Sequence, residues 1–394
     1  MKRTGAALLV FAFLVSTFQV SANAAVKVGA NCTTAGLKKV DAAGKTLTCL
    51  KVGKKLTWNK TATVPVEKQS PAPIPVTSAA PVAVIPDAPT SFDDLVQNYQ
   101  GISYSAWKKS SEKILAPSSI SIPLEILIGS NTKLNNKNPE FAFSQVNKLY
   151  AGSILPKNIV LLAFNFQDRD WAVTKMDQIV PNAGSSWIKD VACPSADNCI
   201  GGGSFHNLSN KTALILITTG IDPNNISNTI SGTLEAHEYT HSIEQSSSDA
   251  LRPAVNLLKS PWPPNWYWEG LANFSQHAAI YSDSFEKYSK YRKESSGQIF
   301  NDSTWNAKYI EDYFQTNLTN EWASKYPRWR QYDLGAMLVE VLVSIKGPDS
   351  AMQVFKDSVN GSGFESAFEK IYGISFAKAL PIISKAIALE LGRS

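Results

Sequence analysis

Residues 231–245 read SGTLEAHEYTHSIEQ, in which His237 and His241 are four positions apart and Glu238 directly follows the first histidine. On an α-helix, positions i and i+4 lie on the same face, so both imidazoles can reach one metal ion. Glu238 lies one residue round from that face, where its carboxylate can approach a metal-held water without being a ligand. The stretch therefore predicts a zinc-binding helix. The alternative is an amphipathic helix that carries two histidines by chance.

A catalytic zinc site needs a third protein ligand and an open position for water. In the metzincin pattern, glycine and histidine follow the second histidine after three and six residues, but this chain has Glu244 and Ser247 there. Glu244 shares the helix face of the two histidines, yet it lies a turn further on, about 5 Å along the axis. We therefore expect Glu244 to contact a ligand rather than to bind the metal.

The third ligand is suggested by a second motif, WYWEGLANF at residues 266–274. An HExxH pattern followed after some tens of residues by W-x-x-E-G-[LF]-A resembles the gluzincin metallopeptidases. The resemblance implies one Zn2+ per chain, held by His237, His241 and Glu269, with Glu238 as the catalytic base. It also implies an α+β, thermolysin-like domain with a small mixed sheet, an active-site helix and a C-terminal helical subdomain. The alternative is an ordinary amphipathic helix whose tryptophans fill the core.

A third motif, YDLGAML at residues 332–338, is similar to the Y-x-x-G-[AF] helix of several gluzincins, notably the aminopeptidases. The resemblance implies that the Tyr332 hydroxyl donates to the oxyanion of the tetrahedral intermediate. A tyrosine that only packs at a helix start is the alternative. The aminopeptidases also carry a G-[AG]-M-E-N stretch whose glutamate binds the free amine of the substrate. Residues 201–205 read GGGSF and contain no glutamate, which favours an endopeptidase.

Apolar runs rich in β-branched residues predict strands at 122–128, 159–166 and 212–218. Helical periodicity predicts helices at 139–150, 168–179, 229–246, 267–281, 304–315, 332–346, 348–359 and 374–391. A sheet followed by helices is the α+β pattern. Since residues 212–218 precede the active helix, the resemblance implies that they form the edge strand that holds the substrate backbone.

Three further polar residues have weaker roles in this interpretation. Asn273 is one turn after Glu269, where it can hydrogen-bond a ligand histidine. We expect His277, on the same helix face as Glu269, to be structural. We expect His206 to lie in a surface loop, with a lesser claim as a substrate contact. The loop at 261–266 is expected to pack in the core rather than to line the cleft.

The N-terminus is typical of a secretory signal. Lys2 and Arg3 precede an apolar run at 6–18, and Ala-Asn-Ala at 22–24 predicts cleavage after Ala24. An uncleaved signal-anchor is the alternative. No later segment is long and apolar enough to predict a membrane span. Residues 1–24 are therefore predicted to be a signal peptide, and the protein to be secreted or associated with the cell envelope of a bacterium.

Residues 25–60 form a predicted small module with eight lysines and one aspartate. Alternating runs separated by Gly-Lys turns predict a β-hairpin unit, too small for a real core, so a bridge between Cys32 and Cys49 is expected to stabilise it. It resembles small Cys/Lys-rich modules of secreted actinobacterial proteins. Its predicted partner is an anionic cell-envelope polymer, bound through lysines and Trp58; the alternative is a solubilising cap without a ligand.

The rest of the chain divides into a Pro/Ala-rich linker at 61–91 and a metallopeptidase-like domain at 92–394. Cys193 and Cys199 form a second local cysteine pair, and a disulfide is favoured in an oxidising compartment. Zinc binding by cysteines is the weaker alternative, because there is no CxxC motif.

Together these features predict a secreted zinc-dependent peptidase that acts on peptides or proteins and not on nucleic acid. Zinc would lower the pKa of its bound water, and Glu238 would take the proton and pass it to the leaving amine. The alternative is a non-catalytic envelope-binding protein on a peptidase scaffold. The intact set of His237, Glu238, His241 and Glu269 argues against that alternative. A third possibility keeps the metal chemistry but changes the substrate, for example to peptidoglycan stem peptides.

Overall fold

The computed structural model describes most of the chain in two separate units, Met1–Val82 and Ala83–Ser394. The described residues are 27–33, 38–41, 45–60, 85–220, 226–246, 262–318, 326–327 and 329–393. The predicted signal peptide and most of the predicted linker lie outside them. Among the described residues, no single helix is long and apolar enough to span a membrane. Two consecutive helices, Phe364–Tyr372 and Phe376–Glu390, meet that test only together, across a 76° bend.

The first unit is a three-stranded antiparallel sheet, as the hairpin prediction required. Its strands, β1 (Lys38–Val40), β2 (Thr46–Val52) and β3 (Lys55–Lys60), lie in the order β1-β2-β3. Val52 pairs with Lys55 across a two-residue loop. Gly53 adopts a φ of 63° in this loop, a conformation that glycine takes without steric cost.

The unit is held together by a disulfide and a very small core. Cys32 and Cys49 are bridged, as predicted. Leu47, Cys49 and Trp58 are the buried members of its cluster. The prediction that Trp58 contacts a polymer is wrong, because its ring is only 4% exposed and packs against the disulfide strand. In a sheet this small, the largest apolar side chain has to supply the core.

The second unit contains a four-stranded mixed sheet made of β4 (Leu124–Ile128), β5 (Asn158–Phe164), β6 (Gly202–Asn207) and β7 (Thr212–Thr218). The strand order is β4-β5-β7-β6, with β4, β5 and β7 parallel and β6 antiparallel to β7. All seven residues of β7 are buried. Continuous apolar strands of this kind are typical of a sheet covered on both faces.

The prediction that residues 212–218 form the edge strand is wrong. β7 is paired on both sides, with β5 and with β6. The chain reaches β7 from β6 through a tight hairpin turn, where Lys211 has a φ of 59°. The outer strand on this side is therefore β6, which the sequence analysis did not identify. Its Gly-Gly-Ser start has low strand propensity.

Helices make up most of the second unit, and they confirm the α+β class. In chain order they are α1 (Ile102–Leu115), α2 (Pro139–Leu149), α3 (Arg169–Ile179), α4 (Ile226–Ile230), α5 (Thr233–Ser246), α6 (Asn265–Ile280), α7 (Phe285–Ser295), α8 (Gly297–Asn301), α9 (Ala307–Thr316), α10 (Arg330–Lys346), α11 (Pro348–Asp357), α12 (Phe364–Tyr372) and α13 (Phe376–Glu390). From residue 226 onwards, the described residues contain no strand, as predicted.

Two boundaries differ from the predictions. The helix predicted at 229–246 is two helices, α4 and α5, separated at Gly232, whose φ of 93° interrupts the helix. The main domain begins earlier than residue 92. A Cβ at Gly101 would lie 2.0 Å from the carbonyl oxygen of Asp87, so the residues before 92 pack closely against the start of α1. The end of the predicted linker therefore belongs to the second unit.

The sheet separates two apolar cores. The larger one lies between one sheet face and helices that include α2, α5, α6 and α10, and it contains Ile215, Tyr239 and Leu338. The smaller one lies on the opposite face, under α3, and includes the Cys193–Cys199 disulfide, which confirms the second predicted pair. Helix α5 is thus sandwiched between the sheet and α6, and this position buries the HExxH motif.

Candidate metal centre

Helix α5 places an unusual set of polar side chains in the interior. His237, Glu238, His241 and Glu244 are each no more than 7% exposed. Ionisable side chains are seldom buried unless they are paired or coordinate a metal. Four such groups buried on one helix therefore require neighbouring groups of opposite charge or a bound metal ion.

Helix α6 brings Glu269 to the two histidines. The Nε2 atoms of His237 and His241 are 3.2 Å apart, and Oε2 of Glu269 is 3.3 Å from each of them. Zinc–ligand bonds of about 2.0–2.1 Å at tetrahedral angles place neighbouring ligand atoms about 3.3 Å apart. The three atoms therefore have the spacing of one face of a zinc tetrahedron. In the part of the chain that the structure describes, this is the group of His, Cys and carboxylate side chains that could hold a metal.

The charges around His241 favour a cation at this point. Nδ1 of His241 donates to Oε2 of Glu244 at 2.7 Å, as the sequence led us to expect of Glu244. This bond leaves the Nε2 lone pair directed at Glu269 and His237. Burial disfavours a charged imidazole, but Glu244 and Glu269 outweigh it and raise the pKa of His241 to about 10. Either a bound proton or a metal ion supplies the positive charge that Glu244 and Glu269 favour at this position.

The carboxylate of Glu269 is strongly biased toward its ionised form. Burial opposes ionisation, but hydrogen bonds and charge from His237 and His241 lower the pKa of Glu269 well below its usual range. The side chain of Glu269 is 12% exposed and that of His237 is 9% exposed, so the donor atoms are close to solvent without being surrounded by it. An anionic carboxylate beside two imidazoles is a donor set that suits zinc.

We call His237, His241 and Glu269, the three residues that could hold a metal, the metal-ligand group. Glu238 lies beside this group but outside it. Burial raises its pKa, and the two histidines partly counteract that rise. The edge strand β6 passes directly over its carboxylate, because a Cβ added at Gly202 would lie 2.7 Å from Oε1 of Glu238. A hydrogen bond of 2.7 Å between the hydroxyls of Ser204 and Ser242 ties β6 to α5. This contact could not be predicted from the sequence, since a glycine permits a close approach only by lacking a side chain.

Tyr332 reaches the same site from α10, through a close crossing of two helices. A Cβ at Gly270 would lie 2.3 Å from the carbonyl carbon of Gly335, and one at Gly335 would lie 2.0 Å from the carbonyl oxygen of Trp266. The two motif glycines therefore let α6 and α10 touch through their main chains. The ring of Tyr332 lies 6.0 Å from that of His237 as a result.

Other residues near the site differ from expectation. Asn273 does not bond a ligand histidine; its Nδ2 donates to the backbone oxygen of Tyr332 at 3.1 Å and so links α6 to α10. Trp268, to which the sequence analysis assigned no role of its own, packs on His241 with ring centroids 4.3 Å apart. His277 is buried, and its Nδ1 donates to the backbone oxygen of Asn273, in line with a structural role.

His206 also differs from expectation, since it is in the middle of β6 and not in a surface loop. It is 2% exposed, and neither ring nitrogen has a hydrogen-bond partner among the residues that the structure describes. Along β6 it lies four residues from Gly202, or about 13 Å at the usual rise per residue. His206 is not a member of the group that could hold a metal.

Comparisons of this chain with known protein families, curated proteins and solved structures return no match. The functional argument therefore depends on the chemistry of the site.

Proposed function

We propose that this protein is a zinc-dependent peptidase of the gluzincin type, with a preference for internal peptide bonds. The observation that carries the proposal is the equal spacing of 3.2–3.3 Å among Nε2 of His237, Nε2 of His241 and Oε2 of Glu269. Structural zinc sites use four protein ligands, whereas catalytic sites use three and leave the fourth position open. Two imidazoles and one carboxylate are the catalytic type.

Bound zinc supplies a Lewis acid that polarises the substrate carbonyl and makes a neighbouring water acidic. Glu238 acts as the general base: it accepts a proton from the attacking water and then donates it to the nitrogen of the leaving amine. Its burial supports this role, because the raised pKa brings the carboxylate closer to the working pH. Its position outside the donor set leaves both oxygens available for proton transfer.

Tyr332 is proposed to donate a hydrogen bond to the oxyanion of the tetrahedral intermediate. The packing of α6 against α10 supports this assignment, because it fixes the ring 6.0 Å from the ring of His237. Asn273 helps by holding the backbone oxygen of Tyr332.

The substrate backbone is proposed to add to the outer edge of β6. Within the described residues, β6 pairs only with β7, so its other edge offers main-chain donors and acceptors. Gly202 brings this edge against Glu238, where the scissile bond has to lie. The strand reads Gly-Gly-Ser-Phe-His-Asn and carries no acid to bind a free amine, which supports cleavage within a chain.

Metal analysis and a peptide-library digest test the proposal together. We expect about one equivalent of zinc per chain, cleavage within peptides whose two termini are blocked, and loss of cleavage with a chelator. His241→Gln should lose zinc, whereas His277→Gln, at a buried histidine outside the donor set, should keep it. Iron in place of zinc, or a zinc-loaded protein without peptidase activity, would contradict the proposal. The second result would favour the non-catalytic envelope-binding alternative.

A further inference from the structure

The unit of residues 27–60 carries a charge imbalance that peptide hydrolysis does not use. Residues 25–60 contain eight lysines and one aspartate, whereas residues 61–394 contain 28 basic and 32 acidic side chains. Like charges so close together repel one another and destabilise a compact state. A core of Leu47, Cys49 and Trp58 opposes that repulsion only weakly. An excess of positive charge in so small a fold indicates a function for the charge itself.

Three of these lysines surround the turn between β2 and β3. Lys51 is the next-to-last residue of β2, Lys54 lies in the turn, and Lys55 starts β3. All three are exposed. We call this group the lysine tip. Its positive charges surround the turn of a hairpin whose strand β2 is bridged in its middle, at Cys49, to Cys32.

The lysine tip has no counter-charge among the described residues of its unit. Among the residues that the structure describes, no ion pair involves Lys51, Lys54 or Lys55. The acid of the unit, Asp41, accepts a hydrogen bond of 2.8 Å from the backbone nitrogen of Lys45, away from the tip. The tip therefore presents ammonium groups that remain free to bind an external anion.

We propose that the lysine tip binds an extended anionic polymer of repeating phosphodiester groups, of the kind found in cell envelopes. Ammonium groups are point charges on flexible stems, which suits repeated phosphates without fixed geometry. The described part of the unit offers no platform for stacking nucleobases, because Trp58 is 4% exposed. Two exposed aliphatic side chains beside the tip, Leu50 and Val52, are too few to anchor it in a bilayer. The proposal is independent of the peptidase assignment.

The test measures binding of the intact secreted chain to immobilised poly(glycerol phosphate) at 50–200 mM salt. Ion release on binding should weaken the affinity by about 20-fold or more over this range, if three phosphates are contacted. Replacing the lysine tip with glutamine (Lys51→Gln, Lys54→Gln, Lys55→Gln) should raise Kd by about 10-fold at 50 mM salt. It should also reduce the slope of log Kd against log salt by about 2.

A matched control removes the same charge from the second unit. Lys108, Lys287 and Lys290 have side chains that are 56–59% exposed and lie on surface helices. Their glutamine variant should bind the polymer like the unaltered chain. Equal weakening by the two triple variants, or no binding by the unaltered chain, would overturn the proposal. So would tighter binding to double-stranded DNA or to anionic phospholipid vesicles than to the polymer. Unchanged thermal unfolding of both variants would show that the fold is intact.

Discussion

Two clusters of buried carboxylates lie in the helical part of this protein, and they neutralise their charge in different ways. In one, between α7, α10 and α13, Arg292 forms ion pairs with Glu340 and Glu390, and the Tyr288 hydroxyl donates to Glu340 at 2.6 Å. In the other, on α5 and α6, Glu244 and Glu269 face imidazoles, which are positive only when they are protonated.

The difference indicates which cluster is built for a ligand. Arg292 is a permanent cation, and its two acids keep its pKa high against the effect of burial. That cluster contains its own fixed cation, so it needs no ligand to offset its carboxylates, and it supports the fold. The histidine cluster has a converging donor set without a fixed cation, so its charge balance depends on what binds there. We expect substitutions in the first cluster to affect stability and those in the second to affect chemistry.

Glu238→Gln should have the largest effect on activity. Loss of the general base should lower kcat by about 10²–10⁴-fold, with bound zinc and unfolding temperature nearly unchanged. Glu340→Gln is the counterpart in the other cluster; it should lower the unfolding temperature and leave kcat of the remaining folded protein intact. Steady-state kinetics and thermal unfolding of both variants check this contrast. Full activity of Glu238→Gln would show that the proposed base is wrong.

Arg292→Met should destabilise the fold by about 3–5 kcal/mol, because it leaves two buried carboxylates without their cation. Denaturant unfolding measures this loss, and adding Glu340→Gln should recover part of it. Adding a chelator should not change the size of this destabilisation. If Arg292→Met changed zinc content as much as stability, the two clusters would not be independent.

His277 lies between the clusters and should make stability depend on pH. Burial lowers its pKa to about 4, and the charges of Arg292 and His237 act in the same direction, while the carbonyl of Asn273 opposes them. Between about pH 6.5 and pH 4, the unfolded chain binds this proton and the folded chain does not, so unfolding becomes easier as the pH falls. His277→Gln should reduce that slope in denaturant titrations at several pH values. An unchanged slope would rule out His277 as its source.

Glu244→Gln should have a smaller effect, on metal affinity. Its carboxylate orients His241 and adds negative charge near the donor atoms, and loss of such a partner typically weakens metal binding by about 10–100-fold. Glu235→Gln is a suitable control, because Glu235 is equally buried on α5 but lies about 200° round the helix from His237. Competition with a chromogenic chelator measures both Kd values, and equal Kd values would contradict the role of Glu244.

Features that depend on side-chain chemistry could be predicted from the sequence, whereas features that depend on main-chain packing could not. The spacing of His237 and His241 and the position of Glu269 were enough to expect three ligands in one place, and the structure brings them together. The α+β class followed from apolar runs that give way to helical periodicity. These signals are local, or they depend on residue types that are rare in the chain.

The edge of the sheet could not be predicted in this way. Residues 202–207 have no apolar alternation, and their place beside β7 depends on a hairpin turn and on contacts with α5. The break at Gly232 and the burial of His206 are also outcomes of tertiary packing. Glycine positions such as Gly202 carry information only once the neighbouring element is known.

The crossing of α6 and α10 has a consequence for engineering. Because Gly270 and Gly335 meet through their main chains, the distance from Glu269 to Tyr332 does not depend on the size of any side chain between them. If the proposed peptidase activity is confirmed, its substrate preference can therefore be varied by replacing residues around the metal-ligand group, while the spacing of Glu269 and Tyr332 is preserved. A library that keeps these two glycines and randomises the surrounding residues should yield variants with new specificities more often than one that alters the crossing.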